Sequence, residues 1–401
     1  MMSVVPQDKD VVLIGVDGGA TVAKAHHVVC DNLAQPQSFA LGEAAAARTY
    51  ERMPEFEPVP IGTQLAERDA GKIQLSPKEQ IQGSVWIQAV CDAVAEVVQT
   101  VAEDRPVKVL LGMGMPGLKT PDARGISAIN NGPRIPDYLE QCERRLGQVG
   151  VQLAAPVAAL GSDADYCGIG ELYAESGLFR DVENSYYVGC GTGIADALKL
   201  RGKLVPFDAA KTWIQKSWQI PSSLGPTFEK LVSAKSMNDC YARLLGRDPL
   251  DEPRYPEVDA AEGQAIAIAW MDTVALLLAE LIYERIDTIQ NGRSDLLHRG
   301  PGYHHLAPSH SFRGVVLERV IVGQRIGQIY AHRRYRPVFA DKLEQYLAAA
   351  IMSAGNHKLM AAFLENGEKL RTGFLRASRL RAAPALGAAI SAVQAFTTHK
   401  S

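Results

Sequence analysis

Twice in this chain an apolar run breaks on glycine and a hydroxyl residue and then resumes. The first instance is VVLIGVDGGATVAKAHHV, residues 11–28, and the second is YYVGCGTGIADAL, residues 186–198. Each reads as strand, turn, strand. Asp-Gly between apolar runs is a hairpin signal in its own right. Glycine also lets backbone N–H groups approach a phosphate with no Cβ in the way, and a single copy does not separate the two readings. Two copies in opposite halves constrain the fold more strongly: they imply a duplicated α/β architecture, with one such hairpin in each of two lobes and a cleft between them. The 401 residues agree, because a domain usually takes roughly 100–200.

The remaining pattern fills in that architecture. SPKEQ, residues 76–80, predicts a helix start with Ser76 as N-cap, Pro77 at the first helical position and Glu79 closing a capping box. Residues 85–104 continue with the spacing of a buried helix face. VKVLLGMGMPG (107–117) reads as a buried strand, and PVAALGSDADYCGIGELYAESG (156–177) as a short strand, an acidic turn and a helix. RGK at 201–203 signals a tight hairpin, 261–286 a long amphipathic helix, and VVLERVIVG (315–323) a further strand. Residues 31–75 keep no steady period and are expected to hold an extra strand within a surface insertion. Trp86 and Trp270 fall on apolar helical faces and read as core.

Composition excludes several function classes. A formal net charge of -3 lacks the basic excess that nucleic acid requires, and the local YAHRRYRPVF stretch (330–339) reads as a solvated helix face or loop. No apolar segment at the N-terminus suggests a signal peptide, and no uninterrupted run reaches the ~18 residues of a membrane helix. The six cysteines, Cys30, Cys91, Cys142, Cys167, Cys190 and Cys240, form no CxxC pair and read as reduced thiols. The expectation is a cytoplasmic enzyme or sensor.

The two hairpins carry the first candidate chemistry. In one, Gly18 and Gly19 offer backbone donors, Thr21 a hydroxyl, and Asp17 a carboxylate able to hold Mg²⁺ through water. In the other, Gly189, Gly191, Thr192 and Gly193 repeat the arrangement without the acid. Asp163 and Asp165 sit in the acidic turn. Such acids usually solvate a turn or cap a helix, the reading preferred for Asp165. At a strand end, Asp163 is also placed as a general base for a hydroxyl attacking a γ-phosphate.

In order, VDGGAT, GMGMPG, INNGP, PVAALGSDADYCGIGE and VGCGTGIADALKLRGKL, with LRASRLRAAPALGAAISA near the C-terminus, resemble the ROK family of sugar kinases, within the actin/hexokinase/Hsp70 ATPase superfamily. The resemblance runs over nearly the whole chain from residue 10. It implies a two-lobed actin-like ATPase fold of the ribonuclease H-like type, with mixed sheets flanked by helices. A smaller lobe would take residues 9–129 plus 385–399, and a larger one 130–384. It also implies that Asp17, Gly18, Gly19 and Thr21 form the first phosphate motif, with Gly191, Thr192 and Gly193 forming the second and Gly323 on the adenosine side. SDAD matches the family's NDAN, which makes Asp163 the catalytic base. The substrate asparagine falls at Asn130 or Asn131, Gly114 and Gly117 lie near the sugar, and Glu229 stands in for a family glutamate. ATP and Mg²⁺ follow as cofactors.

The departures from the family shape the expected substrate. Residues 207–237 contain no Glu-x-Gly-His, no histidine and no cysteine, so no zinc is expected. Trp213, Gln215, Lys216 and Trp218 are what that region offers instead. Gly323 is followed by Gln324 and Arg325 rather than by further glycines, and Arg325 either meets the nucleotide or faces solvent. His298, His304, His305 and His310 could converge on a metal, but their Pro/Gly-broken segment reads as a surface insertion. The expected activity is transfer of the γ-phosphate of ATP to a hydroxyl of a sugar or sugar-like polyol, cyclitols included. The alternative is a non-catalytic sugar-sensing protein on the same fold. No membrane partner is expected, and no nucleic acid either, because the first strand begins by residue 11 and leaves no room for a helix-turn-helix; the long helices permit a homodimer.

Overall fold

The computed structural model describes residues 10–33, 38–54, 56–210, 212–250, 253–292 and 306–398, so His298, His304 and His305 lie outside the described residues. In chain order the elements begin with β1 (Val11–Gly18), β2 (Val22–Cys30), β3 (Phe39–Thr49), α1 (Ile61–Asp69), α2 (Pro77–Ala102) and β4 (Lys108–Gly114). Then come β5 (Leu118–Lys119), β6 (Ile126–Ala128), α3 (Tyr138–Gln148), β7 (Gln152–Leu153), β8 (Leu160–Gly161) and α4 (Asp163–Tyr173). The middle of the chain supplies β9 (Ser185–Cys190), β10 (Ile194–Leu200), β11 (Lys203–Leu204), α5 (Phe207–Ala210), α6 (Glu229–Val232), α7 (Ala234–Leu244), α8 (Pro256–Ala261) and α9 (Ala265–Asn291). It closes with β12 (Arg319–Gly323), α10 (Gln324–Ala331), α11 (Ala340–Ser353), α12 (His357–Phe363), β13 (Leu364–Glu365), β14 (Lys369–Leu370), β15 (Leu375–Ala377) and α13 (Ala383–Thr398). The chain divides into two compact units, Met1–Gly177 with Ala382–Ser401, and Leu178–Arg381.

The first unit is built on a mixed sheet in the order β3-β2-β1-β4-β7, with β8 also paired to β4. β1 runs antiparallel to β2 and parallel to β4. Side chains alternate across a strand, and the two faces of this sheet are used differently. Val12, Ile14 and Val16 of β1, with Val109, Leu111 and Met113 of β4, enter a core shared with Trp86, Val90 and Val94 of α2. On the other face the strands carry glycine, and α13 comes down onto bare backbone. A Cβ on Gly15 would stand 1.9 Å from the carbonyl oxygen of Ala385, and one on Gly112 would stand 1.9 Å from that of Ala388. Gly387 of α13 does the same on its far side, where a Cβ would meet the Tyr166 carbonyl of α4 at 1.9 Å.

α2 begins as its sequence predicts: the Ser76 side chain accepts the Glu79 N–H at 3.1 Å and Pro77 takes the first helical position. The other half of the capping box does not form, because Arg134 engages the Glu79 carboxylate. The irregular region after β2 holds the extra strand, β3, whose ladder with β2 slips register between His26 and Val28.

The second unit has the sheet order β11-β10-β9-β12-β15. β9 is antiparallel to β10 and parallel to β12, which is in turn parallel to β15. The RGK signal is a tight turn with Arg201 at φ 51° and Gly202 at φ 77°, the left-handed pair that a type I′ hairpin demands. By length and composition alone α2 and α9 are apolar enough to cross a membrane, contrary to the expectation from uninterrupted runs. Each nevertheless packs in a unit's core: Trp86 is 2% exposed and Trp270 is 8% exposed. α9 also carries the buried ion pair of Glu284 with Arg285 at 2.8 Å. Arg285 reaches Asp196 of β10 at 3.3 Å and donates to Ser217 Oγ at 2.9 Å. Asp196 further accepts the hydroxyl of Tyr186 at 2.5 Å and the N–H of Ser217 at 2.7 Å. The charges are thereby paired inside the unit rather than left bare.

Replacing Gly112 with alanine should lower the urea unfolding free energy by about 2 kcal/mol or more, since overpacking against rigid backbone cannot relax by a rotamer change. Alanine at Gly147, where an added Cβ meets nothing within 4 Å, should change it little. Equal midpoints in the two variants would remove the proposed packing constraint.

Candidate functional site

The first unit concentrates its candidate residues where β1, β4 and β8 end. Asp17 pairs in register with Gly114, and Gly114 with Gly161 of β8. Neighbouring strands lie about 4.8 Å apart, so Asp17 stands roughly 10 Å across the sheet from Gly161. Asp163 follows two residues later as the first residue of α4, with Ser162 as N-cap. There the free N–H groups of the helix favour an anion, and the Asp163 carboxylate accepts the Ala164 N–H at 2.9 Å. Burial first, then the charge of Asp163, push the Asp17 carboxyl up to about 6, against an opposing pull from Lys24. The charge of Asp163 is thus felt at the largely buried Asp17, and carboxylates of this kind hold a hard divalent cation through its water shell.

The loop after Asp17 is a three-residue connection, closed by the Gly19 N–H donating to the Val22 carbonyl at 2.9 Å. Its glycines are not there for a left-handed turn, as neither Gly18 nor Gly19 has a positive φ. A Cβ on Gly18 would meet Met115 Sδ at 2.0 Å, whereas one on Gly19 would meet only the Val22 carbonyl, at 3.2 Å. Gly18 is thus set by packing, while Gly19 leaves the turn bare and Thr21 stands exposed beside it. Tyr50, just after β3, donates its N–H to the Thr21 carbonyl at 3.0 Å and stacks on Trp86 with ring centroids 4.3 Å apart. Its hydroxyl is buried with no hydrogen-bond partner among the described residues. Burial and the Asp17 charge raise its pKa well above the usual phenol value.

Asn130 and Asn131 are exposed in the turn after β6, and that turn is held from both sides. Gln64 of α1, fully buried, accepts the Ile129 N–H at 2.7 Å and donates to the Ile129 carbonyl at 3.0 Å. Arg134 follows the asparagines and pairs with Glu79 through Nε at 2.8 Å and Nη2 at 2.9 Å. It also reaches the Gln74 carbonyl at 2.9 Å, and Glu67. Gly117, at φ 88°, makes the turn after β4, where Lys119 caps the Gly117 carbonyl at 2.9 Å. Tyr50, Gln64 and Arg134 were not singled out from sequence. The INNGPR stretch contains the arginine, but nothing in its spacing marks Glu79 as the partner.

In the second unit, the loop Gly191–Gly193 closes with Gly191 N–H donating to the Gly193 carbonyl at 2.9 Å, and Thr192 is exposed. A Cβ on Gly193 would lie 2.8 Å from Glu229 Oε2, and one on Gly191 would lie 2.3 Å from Gln324 Oε1. The carboxylate of Glu229 accepts the Ile194 N–H at 2.9 Å, so it supports the exit of this hairpin. Gly323 pairs with Gly189 and forms the N-cap of α10. This brings the free N–H groups of a helix start close to the glycine loop, an arrangement that favours phosphate. Arg325 is engaged by the buried Glu257 of α8. Trp213 is core and meets His310 in a tilted ring contact with centroids 5.6 Å apart, whereas Trp218 is exposed.

A sheet that begins with an antiparallel hairpin and continues in parallel, present once in each unit, belongs to the actin-like ATPase fold, and the chain has the form of that fold found in ROK-family sugar kinases. A Cytophaga hutchinsonii protein assigned as a sugar kinase matches with a TM-score of 0.54 at 14% identity, over 95% of this chain and 99% of that one. A ROK-family transcriptional regulator, a homologue of the E. coli MLC protein, matches at 0.53 and 12% identity, over 97% and 79%. A ROK-family glucokinase of Streptomyces griseus, solved with glucose and AMPPNP, matches at 0.50 and 16% identity, over 96% and 99%. At these identities the likeness is one of fold. No protein-family model matches the chain, and no curated protein matches it in sequence.

Two outcomes follow from this geometry. The raised Asp17 pKa means that the folded state holds the proton more tightly than the unfolded chain does. Stability from this residue is full below the unfolded value of 3.8 and is lost as pH rises through about 6. Asp17→Asn should therefore be more stable than the wild type by about 3 kcal/mol at pH 8 and close to it near pH 3.5, measured by urea unfolding. Gln64→Ala should cost about 2–3 kcal/mol in the same assay, because it strands the buried Ile129 N–H; Gln64→Glu, which keeps one acceptor, should cost less.

Proposed function

We propose that this protein is a divergent ROK-family kinase that transfers the γ-phosphate of ATP to a hydroxyl of a sugar or sugar-like polyol. The observation that supports the reading is Asp163 at the first position of α4, its charge acting on the buried Asp17, in a chain with the fold of sugar kinases. Asp163 sits at the start of α4, on a rigid element, and acts as the base that accepts the proton of the attacking hydroxyl. Asp17 holds Mg²⁺ through water, and the ion would neutralise charge on the transferring phosphoryl group. Gly18, Gly19 and Thr21 are the phosphate donors of the first unit; Gly191, Thr192 and Gly193 form the phosphate motif of the second, with Gly323 on the adenosine side. Asn130 and Asn131 hydrogen-bond acceptor hydroxyls from a turn already fixed by Gln64 and Arg134, which keeps the ordering cost of binding low. The six free thiols suit a reducing cytoplasm.

A second reading, a sugar-sensing protein without turnover, is favoured by the fold match to a transcriptional regulator. ADP release against a panel of sugars and cyclitols separates the two. Asp163→Asn should lower turnover about 10²–10⁴-fold with ATP affinity retained; turnover at the wild-type level would remove Asp163 from the chemistry. Sugar binding with no ADP release for any acceptor would favour the sensor.

A further inference from the structure

Apart from the hairpins and the acid pair, the second unit contains a cavity of about 540 Å³ lined by four arginines, Arg336, Arg371, Arg376 and Arg379, and by one carboxylate, Glu344. The charge is not cancelled within the cavity. Glu344 accepts the Tyr330 hydroxyl at 2.7 Å and stands 3.4 Å from Arg336, which also pairs with Asp341 at 2.8 Å. Arg371 donates to the Glu318 carbonyl at 2.9 Å. Arg376 acts by its charge on Asp181, whose two oxygens are already bound by Arg319 at 2.7 and 3.1 Å. Arg379 is exposed and has no ion pair among the described residues.

The backbone explains why these groups converge. Gly373, at φ 77°, makes the turn that leads into β15, and Arg376 Nη2 folds back to within 3.5 Å of where a Gly373 Cβ would be. Arg371 and Arg376 thus flank one glycine turn at the edge strand of the sheet. The lining is also partly apolar, with Leu178, Leu370, Leu375 and Tyr330. The cavity lies at the C-terminal end of α10, formed by Tyr330 and Ala331, and none of its lining residues belongs to the glycine hairpins. Eight residues of helix put about 12 Å between it and the Gly323 end.

We infer that this cavity binds a phosphate monoester with an apolar or ring-shaped body. A guanidinium fork matches two phosphate oxygens at once, and two forks without carboxylates of their own suit a dianion. The volume is that of a small-molecule site rather than of a bare ion, and the apolar lining accommodates the organic part. The inference is independent of the kinase reading, since it concerns other residues and needs no turnover.

Phenyl phosphate is the direct probe, with inorganic phosphate as the comparison, both titrated calorimetrically into the full chain without nucleotide. The expected result is phenyl phosphate binding at least tenfold tighter than inorganic phosphate, and weakening as salt is raised. In R376Q/R379Q the phenyl phosphate affinity should fall at least tenfold. R376K/R379K, which keeps both positive charges but not the planar forks, should also weaken it and guards against a folding defect in the double variant. Unchanged affinity in both variants would overturn the inference and locate the anion elsewhere, for instance at the glycine hairpins. Equal binding of the two probes would overturn the assignment of an organic ligand. A chain inactive on every polyol yet showing the expected binding would defeat the kinase reading alone.

Discussion

The first unit depends on a helix lying on bare backbone. α13 touches β1 and β4 at Gly15 and Gly112 on one side, and α4 through its own Gly387 on the other. β1 ends at the residues around Asp17, and α4 begins at Asp163. The helix that binds these two elements therefore also sets the separation of the two carboxylates. A side chain at any of the three glycines would push the layers apart, and interiors packed at crystal-like density do not absorb such a shift locally. The acid pair raises the energy of the folded state at neutral pH, and the glycine-bound layers hold it in place against that repulsion.

Glycine serves different ends in this molecule, and that limits what a motif conveys. Gly202 supplies a left-handed turn, Gly15 and Gly112 let a helix approach, Gly18 clears Met115, and Gly19 leaves a loop uncovered. The DGGAT stretch contains two of these cases side by side. The motif reads as a phosphate loop, but only the structure separates the glycine that packing requires from the one that leaves backbone open. In the second hairpin both glycines carry close neighbours from distant parts of the chain, Gln324 at one and Glu229 at the other.

Much of the fold was legible because it rests on local rules. The alternation of Val12, Ile14 and Val16, the Ser-Pro start of α2 and the Arg-Gly turn at 201–202 are each written within a few residues. The order of motifs sufficed to expect the actin-like class. The candidate site was less legible. Asp17 and Asp163 stand out by type and position, but Gln64, Arg134 and Tyr50 act over separations of 65 residues for Gln64 with Ile129 and 55 for Arg134 with Glu79, and no periodicity announces such a pairing. Glu79 shows the same limit: its local pattern predicts a capping role, and a buried arginine from a distant turn outcompetes it. The arginine cavity went unnoticed as well, since its four members come from two stretches, 333–338 and 371–379, and only the sheet edge joins them.

The position of α13 has a consequence for biogenesis. The first unit begins at the N-terminus, yet the helix that closes its sheet is residues 383–398. During synthesis, at roughly 5–20 residues per second, the intervening second unit must emerge before that helix exists, so for tens of seconds the glycine face of β1 and β4 stays uncovered. The nascent chain has to keep that surface from pairing wrongly until α13 arrives, so the first unit is completed only after the second has been synthesised.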